Sequence, residues 1–361
     1  MYKKTKYNSR REFIGNAATL GIMGIAGAGL PLSSLGSGKS GHETPLFPDN
    51  TNGDRRLTRE TFAGLLKTST DHPAVNVTIH NTVREEGLII EDISWRSGDD
   101  QTVQAFVIRK DNVDGRLPAV ICLHGSSGSR DSMITKEFGI GEWKRYGQNQ
   151  PHTRMLGWAR ELARRDYIIL AMTQRGLDNR QPPINTEANV LMAHGRTAMG
   201  MTLDEIRQGV TYLQGRTDVD PDRVGTTGMS FGGITAFYML ILDDRIAASA
   251  PVCGGIGSIE IFARTGSIGY HGTYWWIPDI VANGDQARFA VAMAPKPLML
   301  WAPTDDVGMT KEAVDHFVSI VQPAYKRAGK PSNFVVHQPP GGHSFTMEAF
   351  EAMSKFFDNY L

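Results

Sequence analysis

Residues 226–235, TTGMSFGGIT, set one serine at the centre of the frame Gly228-Met229-Ser230-Phe231-Gly232. A β-type run, DRVGTTGMS, leads into it, and a helical run, GGITAFYMLILD, leads out. A serine hydroxyl is a weak nucleophile, and it becomes useful when a tight turn exposes it and a base lies beside it. A sharp turn from strand to helix crowds the positions two residues either side of the serine, and glycine stands at both. The helix that follows points its N-terminus at the hydroxyl and favours negative charge there. The chemistry to expect is nucleophilic attack by Ser230.

The frame resembles the nucleophile elbow of α/β-hydrolases, which implies three further parts in fixed chain order: an oxyanion loop upstream, then an acid, then a histidine. LHGSSG (Leu123 to Gly128) follows an apolar run upstream. The expected oxyanion donors are the backbone N–H groups of Ser126 and of Phe231, the residue after the nucleophile. PPGGHSF (Pro339 to Phe345) sets His343 on a glycine-rich loop, where an imidazole can take the serine proton and return it to the leaving group. WAPTDDVG offers Asp305 and Asp306 as the acid. The usual loop reads G-x-x-D, and aligning KPLMLWAPTDD from its proline puts Pro303 at the glycine and Asp306 at the acid. Asp306 is therefore favoured, while Asp305 is expected to cap the loop or face solvent. Proline in place of glycine leaves the path of this loop open. Among the other histidines, His124 reads as structural, and His152, His194 and His271 as packing or surface residues with the cleft as the alternative. Arg175 in QRG and Arg196 in HGRT read as ion-paired rather than as cleft residues, and Met229 as packing.

The elements needed to hold these groups are legible in the pattern. Two alternating runs, VNVTIHNTVREEGLIIEDISWRS and TVQAFVIRK, imply an antiparallel start. From Leu117 onward, apolar strand runs alternate with amphipathic helical ones, among them MLGWARELARRD and TLDEIRQGVTYLQGR. Such alternation implies right-handed crossovers and a mainly parallel sheet with helices on both faces. Residues 256–293 break the alternation, being long, aromatic and irregular, and read as a lid-like insertion. Its Tyr274, Trp275 and Trp276 are candidate substrate-binding residues, since aromatic side chains over a site can stack on a sugar or wall an acyl pocket. A chain that is 40% hydrophobic, 21% charged and of zero formal net charge is globular and carries no basic stripe for nucleic acid.

The first residues differ from the rest. SRREFI (Ser9 to Ile14) precedes a mild, glycine-rich apolar stretch, Phe13 to Leu30, and resembles a twin-arginine export signal. Asn16 and Thr19 make that stretch a poor bilayer span. Residues 1–40 are thus expected to be an export signal and linker, read by the twin-arginine machinery, and residues 41–361 a single α/β-hydrolase domain working in the periplasm or outside the cell. GSGKS (Gly36 to Ser40) looks like the end of a phosphate loop, but Ser33 stands where that motif needs glycine.

The stretch DVDPDRVGTTGMSFGGITAFYMLILDDRIAASAPVCG is similar to the core of the dienelactone hydrolase and acetyl xylan esterase-like group. RDYIILAMTQRGLDNR and YHGTYWWIPDIVANGDQARFAVAMAPKPLMLWAPTDD match its bacterial acetyl xylan esterase-like branch. The resemblance implies hydrolysis of an ester or related acyl bond through an acyl-enzyme, with no metal or organic cofactor. It also implies that the nucleophile strand lies between the strands of Cys122 and Cys253. Non-adjacent strands lie about 9–10 Å apart, too far for a disulfide, so two free, buried thiols are expected. A lactone or dienelactone hydrolase is the nearest rival, although that group commonly has cysteine at the position of Ser230. A prolyl oligopeptidase-like peptidase would need a longer N-terminal region to build its gate. An inert carbohydrate- or protein-binding homologue is disfavoured, because every triad member has a candidate here.

Overall fold

A computed structural model describes residues 52–112, 114–143 and 152–361, so the export-signal segment lies outside the described residues. The first described element is helix α1 (Asn52–Leu66). Strands β1 (Val77–Glu85) and β2 (Leu88–Arg96) form an antiparallel hairpin, and β3 (Thr102–Lys110) continues it. Glu86 and Gly87, at φ +51° and +73°, make the turn, a pair of left-handed residues whose twist suits a two-residue hairpin. The sequence reads this stretch as one run, because its turn carries a single glycine.

Then come β4 (Leu117–Leu123), α2 (Arg130–Ile134), a small hairpin of β5 (Gly139–Trp143) and β6 (His152–Leu156), α3 (Trp158–Ala163) and β7 (Ile168–Met172). Helices α4 (Ile184–Ala193) and α5 (Ala198–Gln214) lead to β8 (Val219–Met229), α6 (Phe231–Leu242) and β9 (Ile246–Val252). Helix α7 (Ile259–Thr265) and two 3-10 turns, Ser267–Tyr270 and Thr273–Trp275, precede α8 (Asp285–Met293). The rest is β10 (Leu298–Trp301), α9 (Lys311–Arg327), β11 (Phe334–His337) and α10 (Met347–Tyr360).

Nine strands form one sheet in the order β1-β2-β3-β7-β4-β8-β9-β10-β11. From β7 to β11 every neighbour pair is parallel, while β1, β2 and β3 are antiparallel, as expected from the alternating N-terminal runs. Burial on both faces explains the continuous apolar runs. Along β4, Ala119, Ile121 and Leu123 face a core shared with α1, α5, α6, α8 and α9, whereas Val120 and Cys122 face one shared with α3 and α10.

Three local differences from the sequence reading have physical causes. The run MLGWARELARRD is not helical from its start. Met155 and Leu156 belong to β6, and Gly157, at φ +64°, begins the helix where a Cβ would lie 2.5 Å from Glu137 O. The hairpin β5/β6 and helix α4 were not foreseen, since both lie where the apolar periodicity is weak. The span 256–293 ends in a core helix: Phe289 of α8 packs on Phe62 of α1 with ring centroids 4.9 Å apart. No helix among the described residues is long and apolar enough to cross a membrane.

Removing a fully buried ring costs about 3–5 kcal/mol. Phe289→Ala is therefore expected to lower unfolding stability by about that amount in urea titrations, while Val190→Ala, at a position 54% exposed on α4, changes it by under about 0.5 kcal/mol. Equal effects at the two positions would mean that α8 does not belong to the core.

Candidate active site

Ser230 stands between β8 and α6 with φ +57° and ψ −116°, a sparsely populated conformation for a residue with a side chain. Its N–H donates to Val252 O at 2.9 Å, which ties the turn to the end of β9. A Cβ on Gly228 would lie 2.3 Å from Leu123 O, and one on Gly232 2.0 Å from the same oxygen. The crowding expected from the sequence thus has a definite source in the end of β4.

Ser230, His343, Ser126 and Phe231 line one cleft of about 520 Å³, counting its open mouth. His343 Nδ1 donates to Asp306 Oδ2 at 2.8 Å, and Asp306 is 1% exposed. With Nδ1 carrying a hydrogen, the neutral ring keeps Nε2 as an acceptor. Asp306 Oδ1 accepts from Gly308 N at 2.9 Å, so both carboxylate oxygens are held. Asp305 is exposed and binds the histidine loop instead: its Oδ2 accepts from Gly341 N at 3.0 Å, and its own N–H donates to Gly341 O at 2.9 Å. Of the two aspartates, Asp306 is the one that meets the histidine.

The loop after β4 is braced from behind. His124 Nδ1 donates to Gly125 O at 2.8 Å, and its Nε2 accepts from Gln174 N at 3.1 Å. The Gln174 side chain donates back to His124 O and accepts from Thr235 Oγ1 at 2.9 Å. Gln174 and Thr235 were missed in the sequence, because a glutamine and a threonine in ordinary strand and helix runs carry no local signal. His124 is structural, as expected, and burial lowers its pKa to about 4.

Of the three aromatic candidates, Tyr274 and Trp275 line the cleft, and Tyr274 meets Phe231 edge-on at 4.7 Å. Trp275 is buried and stacks on His271, with centroids 4.2 Å apart and planes 13° apart. Trp276 does not line the cleft, being 37% exposed and packed edge-on against Trp275. His271, read as a packing residue with the cleft as alternative, does both: it lines the cleft, and its Nε2 donates to Gly308 O at 2.8 Å.

No family model matches the chain. It is similar to the "Putative hydrolase YtaP" of Bacillus subtilis (strain 168), with 24% identity over 285 residues, 79% of this chain and 92% of that one. In structure it is similar to an acetyl xylan esterase from Paenibacillus sp. R4, at 18% identity and TM-score 0.59, covering 88% of this chain and 98% of that one. It is also similar to a glucuronoyl esterase from Solibacter usitatus, at 14% identity and TM-score 0.61, covering 84% and 91%. The chain has the α/β-hydrolase fold.

Within this α/β-hydrolase frame Arg175, Arg196, His194 and Met229 do not line the cleft, whereas Cys253 does. Arg175 is buried and ion-paired, its Nε donating to Glu187 at 2.9 Å and its Nη1 to Glu205 at 2.8 Å, with Asp99 as a third partner. Arg196 and His194 are exposed, and His152 falls where side chains are not described. Met229 is half-buried against the α3/α10 core. Cys122 and Cys253 are free and buried, with β8 between β4 and β9 in the sheet. Burial pushes the Cys253 thiol well above its usual value, and the Asp306 carboxylate adds to this. Cys253, Asp306 and His343 each place a ligand-type atom within 4.8 Å of the others, but Asp306 Oδ2 and His343 Nδ1 are already bonded to each other.

The buried neutral His124 has a consequence for acid stability. Below pH about 6.5 the unfolded chain takes up a proton that the folded chain refuses until about pH 4, so folding stability falls as pH falls through this window. For His124 the loss reaches about 3 kcal/mol by pH 4. His124→Gln is expected to flatten the slope of unfolding free energy against pH between those values, and an unchanged slope would show that His124 is charged or solvated in the fold.

Proposed function

We propose that this chain is an exported serine hydrolase that cleaves carboxylic esters through an acyl-enzyme and removes acetyl or similarly small acyl groups from saccharides. The observation that carries the reading is the 2.8 Å hydrogen bond from His343 Nδ1 to buried Asp306, with His343 and Ser230 on the wall of one cleft. The names of the structural neighbours, acetyl xylan esterase and glucuronoyl esterase, support the substrate class.

In this reading Ser230 Oγ attacks the acyl carbon while His343 Nε2 takes its proton. Asp306 holds the ring in the required tautomer and stabilises the imidazolium. The carbonyl oxygen becomes an oxyanion held by the N–H groups of Ser126 and Phe231, with the N-terminus of α6 favouring the charge. His343 then gives its proton to the departing alcohol oxygen, leaving the acyl group on Ser230. A water molecule enters, loses a proton to His343 and attacks the acyl-enzyme. Collapse breaks the acyl–Oγ bond, His343 returns its proton to Ser230 Oγ, and the carboxylic acid leaves. The scheme uses no metal or organic cofactor. Tyr274 and Trp275 wall the acyl side, which favours a small acyl group, and Trp276 extends the aromatic surface outward for a sugar ring.

Ser230→Ala tests the reading. Acetate release from p-nitrophenyl acetate and acetylated xylan is expected to fall at least about 10³-fold in the variant. Activity that survives the substitution would remove Ser230 from the mechanism, and a wild-type protein that neither hydrolyses these esters nor is labelled by a fluorophosphonate would mark an inert homologue.

The export part of the reading rests on SRREFI and the mild apolar stretch behind it. Arg10→Lys combined with Arg11→Lys is expected to hold the full-length precursor in the cytoplasm, read by cell fractionation and mass. Export of the double variant at the wild-type level would discard the twin-arginine route.

A further inference from the structure

Two side chains from the span 256–293 reach the loop that carries Asp306. Ser267 Oγ donates to Val307 O at 2.6 Å, and His271 Nε2 donates to Gly308 O at 2.8 Å. The same residue, Gly308, donates its own N–H to Asp306 Oδ1 at 2.9 Å. Asp306 Oδ2 in turn accepts from His343 Nδ1. The hydrogen bonds therefore run without a break from the insertion to the His343 imidazole, which lines the same cleft as Ser230.

The His271 ring has little freedom. It stacks on Trp275 at 4.2 Å, and its Cε1 would be 2.7 Å from a Cβ placed on Gly255. A carbonyl oxygen can only accept, so Nε2 must carry the hydrogen. Burial lowers the ring's pKa to about 4, which keeps it a neutral donor of fixed tautomer near pH 7. Were its task only to wall the cleft, any flat ring would serve. The committed Nε2–H and the second clamp from Ser267 on the adjoining carbonyl indicate a task directed at the loop.

We propose that His271 is a positioning residue: together with Ser267 it fixes the Val307-Gly308 backbone, so that Gly308 N–H holds one oxygen of Asp306 and leaves the other aligned on His343. This rests on the esterase reading for its kinetic consequences, though not for its structural one. Misplacing a catalytic group by about 1 Å costs on the order of 10²-fold in rate.

The test is steady-state hydrolysis of p-nitrophenyl acetate by His271→Ala, His271→Gln and Ser267→Ala in the mature protein, with folding checked by circular dichroism. His271→Ala is expected to lower kcat by about 10–100-fold with KM within about threefold of wild type. His271→Gln, whose amide N–H reaches toward the same carbonyl, is expected to recover most of the loss, and Ser267→Ala to lower kcat by a smaller factor. A raised KM at unchanged kcat would make His271 a substrate contact, and a glutamine variant no better than alanine would make it a packing residue. Either result overturns the proposal. If His271→Ala fails to fold, Ser267→Ala decides, with an unchanged kcat as the refuting outcome. The low-field proton resonance of His343 Nδ1–H gives a readout that needs no substrate. It should move or broaden in His271→Ala and return in His271→Gln. This separates failure of the positioning role from failure of the esterase reading.

Discussion

The carbonyl oxygen of Leu123 presses on both glycines of the elbow, closer than any Cβ on them would allow. That contact sets how near β4 and β8 can bring their ends, with Leu123 paired to Gly228 across the parallel ladder. Because β4 ends there, His124 and Gly125 must turn directly over the serine, and a Cβ on Gly125 would be 3.3 Å from Ser230 Cβ. The loop after β4 and the turn that carries Ser230 are therefore set by one steric contact rather than by two separate features. The strained φ of Ser230 is kept by the same packing, together with the hydrogen bond from its N–H to Val252 O.

Three histidines around this contact differ by what their donors meet. His124 gives its Nδ1 hydrogen to a backbone carbonyl, and His271 gives its Nε2 hydrogen to another. His124 is buried and His271 half-buried, and burial lowers the pKa of each to about 4, so both stay neutral and serve as fixed struts. His343 gives its Nδ1 hydrogen to a carboxylate instead. The same side chain thus meets a carbonyl or a carboxylate according to the acceptor that the loop supplies.

The residues that meet at the cleft were legible because they sit in short local patterns. Glycines flanking a serine, a glycine-rich histidine loop and an apolar strand before each can be read without tertiary knowledge. Asp306 was legible by position along its loop, and the structure gives the reason Asp305 differs, since its carboxylate is bound to the Gly341 amide. The bracing residues were not legible. Gln174, Thr235 and Ser267 act through contacts 40 or more residues away in the chain, and nothing in their neighbours marks them. Within the irregular span 256–293, helix α8 contributes Phe289 and Met293 to the core, and Ser267 and His271 bind the backbone beside Asp306, contacts that the composition of the span does not mark.

The buried ion pairs around Arg175 are best understood through where they lie. Pairs of this kind contribute little net stability, since desolvation offsets much of the attraction, but removing one partner strands a buried charge. Arg175 joins Asp99 after β2, Glu187 on α4 and Glu205 on α5, and so fixes α4 against the sheet. Asn185, also on α4, accepts from Thr273 N at 3.0 Å. Thr273 stands two residues from His271, whose ring holds the Gly308 carbonyl. The charge network and the Asp306–His343 pair are therefore linked through α4 and the insertion. The insertion needs that outside support because two short 3-10 turns have too few internal hydrogen bonds to hold a ring in one place. The site is built from short loops on a rigid sheet, and its precision comes from the polar contacts that tie those loops to one another.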